Sequence, residues 1–244
     1  MTDEGARKRD ESLRVFNQAA SIYDQVGPGS FSYFGQRLVD LGQILSGAQV
    51  LDVAAGRGAL LFPASAKVGP TGHVTGIDFA PNMVRETAKK IELRKLRNAK
   101  IIHMDAEAMN FAAASFDYVL CGFALWMFAN PGRVLQQFHR VLGDGGRVAL
   151  STWAADSPSL TWCHEVLRPF VYGPAAKDLP AKIDVRFDTP SQIETALEEA
   201  GFNKIRIVVE EKEFIYADEE QYWATLWTAG IRRQLEKLTP ALLE

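Results

Sequence analysis

A doubly wound α/β fold on a mostly parallel sheet, with helices before it and an inserted lid after it, is the architecture the sequence predicts. Three observations carry that reading. Five short apolar runs alternate with helical patterns between residues 49 and 152. The runs are apolar at successive positions, as strands buried on both faces must be. Helices placed between such strands imply parallel neighbours joined by right-handed crossovers. Composition agrees: 244 residues, 47% hydrophobic and 23% charged, supply a sizeable core and exclude disorder throughout. The chain reads as one domain over 1–244, with a helical cap at 1–46, a core at 47–153, a lid at 154–189 and a closing part at 190–244.

The elements follow in order. Residues 10–46 read as helices: Val15, Phe16, Ala19, Ala20 and Tyr23 share one helical face, Pro28-Gly29-Ser30 breaks it, and a second helix runs from about Phe31 to Ile44. Strands are expected at QVLDVA (49–54), HVTGID (73–78), AKIIHM (99–104), FDYVLC (116–121) and RVALST (147–152). Helices are expected at 58–68, 81–97 and 131–142. Pro81 and Pro131 sit where a first helical turn tolerates a missing N–H. Residues 154–189 break the rhythm with Pro158, Pro169, Pro174 and Pro180, and read as an insertion over the sheet. A capped helix follows from Thr189-Pro190 to Ala200, stopped by Gly201; then come the strand-like KIRIVVE (204–210) and an aromatic helix around YWATLW.

Ligands of an open parallel sheet bind beyond the carboxyl ends of its strands, so the residues after each run are where chemistry is sought. The first run opens into Ala54-Ala55-Gly56-Arg57-Gly58, where two glycines permit a tight turn and close backbone approach, and the next helix offers free N–H groups. The second ends in Asp78, placed to accept from both hydroxyls of a ribose. The third ends in Met104-Asp105-Ala106-Glu107, where a carboxylate meets an adenine amino group. The dinucleotide fingerprint wants a third glycine where this chain has Leu61, which tilts the reading away from NAD and toward a nucleoside without pyrophosphate.

Five segments then occur in order: VLDVAAGRG, GHVTGIDFAPNMV, the strand-end DAE, SFDYVLCGFALWMF and HRVLGDGGRVALSTW. Together they resemble the class I S-adenosylmethionine-dependent methyltransferases, and FNQAASIYD resembles the ubiquinone/menaquinone-biosynthesis branch and its allied small-molecule enzymes. The resemblance spans roughly 16–153, with a looser echo in FDTPSQIETALEEAGF. It implies a Rossmann-like sheet, S-adenosylmethionine as cofactor, S-adenosylhomocysteine as product, and methyl transfer to carbon, oxygen or nitrogen. By the same resemblance Ala54, Gly56 and Gly58 line the methionine part of the cofactor and Asp78 holds the ribose. Phe79 and Met83 pack near the adenine, and Asp105 and Ala106 contact its edge. The backbone of Cys121 faces the cofactor's amino group, and Tyr23 closes over its carboxylate. The family sheet usually ends in an antiparallel seventh strand; here either IRIVVEEKEFIY bends into a hairpin or the natural C-terminus has been trimmed.

Displacement at a sulfonium carbon disperses positive charge, so it needs alignment and a dry pocket more than elaborate acid–base machinery. Phe31, Tyr33, Phe34, Trp126, Trp153, Trp162, Phe170, Tyr172, Trp223 and Trp227 lie in segments expected around the mouth of the sheet, suited to an aromatic or lipophilic acceptor and to cation–π contact. His164, in the lid beside Cys163, is the candidate base, with Glu165 behind it; His73, His103 and His139 read as packing or solvated residues. The Trp223/Trp227 pair reads as core. Asp52 reads as organising the first loop and Asp117 as structural. The basic stretch Arg85, Lys89, Lys90, Arg94, Lys95, Arg97 and Lys100 is interleaved with Glu86 and Glu92 and reads as a solvated helix face.

The partner is therefore a small-molecule acceptor. A net charge of −3 argues against nucleic acid. The two cysteines lack metal-ligand spacing and make no disulfide framework, and no metal is expected. The longest apolar run, Tyr118 to Ala129, falls far short of the roughly 20 residues of a membrane helix, and MTDEGARKRDESLR has no signal-peptide core. A cytoplasmic monomer or homodimer is expected. Two rival readings are a cofactor-binding protein recruited to a non-methylating reaction such as a cyclisation, and a methyltransferase of nucleic acid or protein.

Overall fold

The computed structural model describes residues 3–155, 158–173, 187–228 and 230–243. Five strands, β1 (Gln49–Val53), β2 (His73–Asp78), β3 (Ala99–His103), β4 (Phe116–Gly122) and β5 (Leu142–Ser151), form one parallel sheet in the order β3-β2-β1-β4-β5. The chain winds outward from β1 through β2 to β3, then returns to the other side of β1 for β4 and β5. The reversal falls between β1 and β4, where Val53 pairs with Cys121, and it opens a crevice above their carboxyl ends.

Helices cover both faces, as the unbroken apolar runs require. On one side α2 (Ser30–Leu41), α3 (Leu61–Val68) and α4 (Pro81–Leu93) enclose Val50, Val74, Tyr118 and Leu120. On the other, α5 (Pro131–Val141) and α7 (Pro190–Glu199) enclose Leu51, Val53, Val119 and Cys121. The predicted punctuation acts locally. Pro81 and Pro131 open their helices, Asn130 Oδ1 accepts from the Arg133 N–H at 3.0 Å, and Thr189 Oγ1 accepts from Gln192. Before β1 comes α1 (Asp3–Ala19), packed on α4 and on α9 (Arg232–Leu235); α6 (Pro158–Tyr172) also packs on α9, and α8 (Glu219–Leu226) and α10 (Pro240–Leu243) complete the chain's helices after β5 among the described residues.

The structure differs from the sequence expectation at several ends. The helix expected from 58 starts at Leu61, because Gly56 and Gly58 take positive φ and hold the chain in a turn. The helix expected to 97 stops at Leu93, since Lys95 turns left-handed at φ 52°. The last strand starts earlier, at Leu142, through an irregularity beside Phe116 and Tyr118. The larger correction concerns 204–210: neither KIRIVVE nor a hairpin over IRIVVEEKEFIY joins the sheet, and residues 202–217 contain no strand. Alternation there is real, with Ile205 and Ile207 turned inward, but the segment is held by side chains instead of a backbone ladder. Phe202 meets His139, Glu210 pairs with Arg37, and Phe214 packs on Phe34. In the expected lid, 158–172 is helical around Pro169, while 174–186, with Pro174 and Pro180, and the side chain of Tyr172 lie outside the described residues.

One close approach seats α2 over the crevice. Gly35 is buried on α2 against the main chain of Ala59, and a Cβ at Gly35 would stand 2.7 Å from the Ala59 carbonyl carbon. Alanine gains about 1 kcal/mol in a helix, but overpacking against backbone costs about 1–3 kcal/mol. Gly35→Ala is therefore expected to lower the melting temperature by a few degrees in calorimetry; an unchanged or higher value would show that α2 is not seated by this contact.

Candidate functional site

The β1 tip is built by backbone geometry. Ala54, Gly56 and Gly58 have φ of 55°, 50° and 86°, so the chain turns left-handed three times within five residues. What fixes this turn is Asp78 at the end of β2. One of its oxygens accepts from the Gly56 N–H and the other from the Ala80 N–H, each at 2.8 Å. Thr87 Oγ1 on α4 donates to the Gly56 carbonyl at 2.6 Å. Burial raises the Asp78 pKa, opposed by the N–H groups of Ala80, Gly56 and Phe79 and by the nearby His103. A carboxylate oxygen has a second lone pair, so Asp78 keeps acceptor capacity toward the cavity it lines.

That cavity lies across the strand tips, about 900 Å³ counted to its open mouth and mostly apolar. Eight of the ten residues that the resemblance assigned to the cofactor line it: Tyr23, Ala54 and Gly56; Asp78, Phe79 and Met83; Asp105 and Ala106. Gly58 does not; it lines a second, more polar cavity that shares Tyr23, Ala54, Gly56, Gly122 and Phe123 with the first. Cys121 lines neither. Its side chain is fully buried beneath the tip, its thiol pushed up to about 12 by burial, and the next two residues form the wall instead. His164 lines neither cavity: its Nδ1 lies 3.0 Å from the Gln234 side-chain amide between α6 and α9, and burial lowers its pKa. Glu165 is exposed on α6. Among the described residues no group of three His, Cys, Asp or Glu side chains is placed to hold a metal, and no helix is long and apolar enough to cross a membrane.

Several contributors were not legible as site residues. Helix α1 covers the first cavity: Arg9 pairs with Asp105 at 2.9 Å and lays its guanidinium 4.2 Å from the Phe79 ring centre, while Lys8 donates to the carbonyls of Trp126 and Phe128. The second Asp105 oxygen accepts from the Glu107 N–H, and Glu107 in turn accepts from Ala129 and Asn130 beyond β4. Arg57, between the two glycines, is buried; it donates to the carbonyls of Ala20 and Ser21 and pairs with Glu86, tying the turn to the end of α1 and to α4. Phe123 follows the β4 tip with φ 52°. The only sequence signal for it was position, one step past a strand end.

Phe123 centres the aromatic wall. It lies 4.3 Å from Trp153, 5.8 Å from Phe31 and 5.7 Å from Phe34, and Phe31 stacks on Tyr23 at 5.1 Å. Tyr33 and Phe34 extend the wall to Phe214. The other expected aromatics whose side chains are described stand apart from it. Trp162 and Phe170 are more than half exposed on α6, Trp223 and Trp227 pack on each other, and Trp126 lies beneath Arg233. Asp117 accepts from the Gln49 N–H, the structural part expected of it.

Comparisons with known proteins bear on this geometry. A family model described as a methyltransferase domain matches residues 44–214. Nocamycin O-methyltransferase of Saccharothrix syringae is 34% identical over 237 residues, covering 93% of this chain and 84% of that protein. Aklanonic acid methyltransferase DauC of Streptomyces sp. (strain C5) is 40% identical over 152 residues, covering 62% of this chain and 68% of that protein. Among solved structures, a SAM-dependent methyltransferase from Aquifex aeolicus superposes with a TM-score of 0.58 over 71% of this chain and 82% of its own, at 20% identity; that likeness is one of fold.

Two substitutions test the site's internal supports. Arg57→Ala strands two carbonyls and leaves Glu86 with Lys89 alone, and is expected to cost about 2 kcal/mol in urea unfolding; a loss below about 0.5 kcal/mol would show that the turn is not tied through Arg57. Asp52 is fully buried in β1 with neither oxygen in a hydrogen bond of ordinary geometry. Burial and the Asp78 charge raise its pKa well above the usual range, and the Leu61 N–H offsets this in part. A raised folded-state pKa contributes stability below the unfolded value, near 4, that is lost as pH rises through the folded value. Relative to Asp52→Asn, the protein is expected to lose stability as pH rises from 4 toward neutral; parallel melting curves for the two would contradict this.

Proposed function

This chain belongs to the methyltransferase-domain family, and we propose that it transfers a methyl group from S-adenosylmethionine to a nucleophilic atom of a small aromatic or lipophilic acceptor. The observation that carries the reading is Asp78, a buried carboxylate at the strand tip whose oxygens brace the glycine turn and still face an apolar cavity. The residues present fit the cofactor. Asp78 accepts from its ribose hydroxyls, Phe79 and Met83 flank the adenine, and Asp105 and Ala106 meet the adenine edge. Gly56, with Ala54 and Gly58, carries the amino-acid tail; a side chain at Gly56 would be strained by its φ and would narrow the cavity. The backbone around Cys121 faces the tail's amino group, and Tyr23 closes over its carboxylate.

When bound, S-adenosylmethionine supplies an electrophilic methyl carbon on a sulfonium. The chain contributes placement and dryness. Tyr23, Phe31 and Phe123 exclude water where the two cavities meet and offer ring faces to positive charge. Holding the acceptor in line beside that wall supplies up to about 7–11 kcal/mol of the barrier without a general base, so no proton step is assigned to His164. The names of the two relatives, one a methyltransferase of nocamycin and one of aklanonic acid, support an acceptor from specialised biosynthesis.

Calorimetric titration with S-adenosylhomocysteine tests the reading. Asp78→Ala is expected to weaken binding about 100-fold, from two lost charge-assisted hydrogen bonds. Asp78→Asn is expected to weaken it while remaining folded. Because only ionised Asp78 is purely an acceptor, affinity is expected to fall as pH is lowered through its raised pKa, above the usual aspartate value near 4, and to lose that dependence in Asp78→Asn. Unchanged affinity in both variants would overturn the assignment.

A further inference from the structure

The second cavity has a wall chemistry of its own. From α4 it receives Lys90, and from the residue that caps that helix Arg94, four positions on and so on the same face; from the glycine turn it receives Arg57. The basic stretch of the sequence is therefore not all one solvated face. Lys90 and Arg94 both turn over the Phe62 ring, with the Arg94 guanidinium 4.1 Å and the Lys90 ammonium 6.0 Å from its centre. Three cations line this cavity against one carboxylate, Asp24, and both the N–H and the hydroxyl of Ser32 already donate to that carboxylate. Arg57 has Glu86, but among the described residues no carboxylate lies within ion-pair distance of Lys90 or Arg94. Burial and the charges of Arg57 and Arg94 lower the Lys90 pKa, and Asp24 and Glu86 offset this only in part. The unbalanced charge runs from the partly buried Lys90 to the exposed Arg94 at the mouth of the cavity.

We propose that Lys90 and Arg94 anchor an anionic group, a carboxylate, of the methyl acceptor in this second cavity. The inference rests on the methyltransferase reading and names the acceptor class for it. The cavity meets the first only along Tyr23, Ala54, Gly56, Gly122 and Phe123. A ligand entering from the cation side thus presents its far end to the aromatic wall, and the carboxylate is a handle, not the reacting atom. The cofactor's own amino-acid tail is the other source of a carboxylate. It brings an ammonium with it, however, and a zwitterion of no net charge leaves the excess of cations uncompensated. An acidic acceptor compensates it. Aromatic residues between the two ends, Phe31 and Phe123, suit a flat ring system joining handle to nucleophile.

The test compares 2-naphthoate with 2-naphthamide, the same ring with and without the charge, titrated into protein saturated with S-adenosylhomocysteine. Naphthoate is expected to bind at least about tenfold tighter than the amide, and Lys90→Gln/Arg94→Gln to abolish the difference while changing S-adenosylhomocysteine affinity less than about twofold. Lys90→Arg should keep the preference, and melting curves of each variant confirm folding. Equal binding of acid and amide, or no naphthoate binding at millimolar concentration, would overturn the proposal. So would a loss of S-adenosylhomocysteine affinity in the double variant, which would give the cations to the cofactor's tail. Failure of the unaltered protein to bind S-adenosylhomocysteine at all would instead remove the methyltransferase reading beneath it.

Discussion

Everything at the strand tips depends on one carboxylate holding two pieces of backbone. Asp78 ends β2, yet its oxygens are spent on the N–H groups of Gly56, from the turn after β1, and Ala80, at the start of α4. Without those acceptors two donors would be stranded in a nearly dry site, at a cost of about 1–3 kcal/mol each. The turn would also lose the brace that keeps its left-handed residues in place. Thr87 and Arg57 reinforce the same turn from α4 and from within it, so a stretch that looks like a flexible glycine loop is fastened on three sides.

That rigidity suits the chemistry proposed. Displacement at a sulfonium carbon gains most from position and from exclusion of water, and little from proton shuttling. In the proposed reaction a braced turn would fix one reactant, and the ring wall around Phe123 the approach to it. The buried Asp52 beneath the turn fits the same economy. Its raised pKa makes it a group that the core carries at a cost in stability at neutral pH, directly beneath that turn.

The sheet and most of the residues lining the first cavity were legible in the sequence because both are written in local terms. Apolar runs, prolines at first helical turns, glycines at a tight turn and acids at strand ends are readable without knowing what packs where. What escaped it depends on distant parts of the chain meeting. Arg9 reaches Asp105 across almost a hundred residues, and Phe214 reaches Phe34 from far downstream, so neither carries a signal of its own. The wall at the β4 tip came from Phe123, two residues past Cys121, because strand alternation buries the Cys121 side chain and the positive φ of Phe123 turns its ring to the cavity. The strand expected at 204–210 shows the converse failure: alternation was present, but pairing is decided by a backbone partner that the segment lacks.

That unpaired stretch, 202–217, has a consequence for how such a protein diversifies. A strand inside a ladder is locked to its neighbours residue by residue, and slipping it by one turns every side chain over. A segment fastened by separate side-chain contacts, among them those of Phe202, Ile205, Glu210, Phe214 and Tyr216, carries no such lock. Insertions and deletions between those anchors leave the sheet undisturbed while moving a ring and a carboxylate relative to the aromatic wall around Phe123. Novelty in substrate choice can therefore accumulate at this edge of the molecule while the catalytic floor stays as it was.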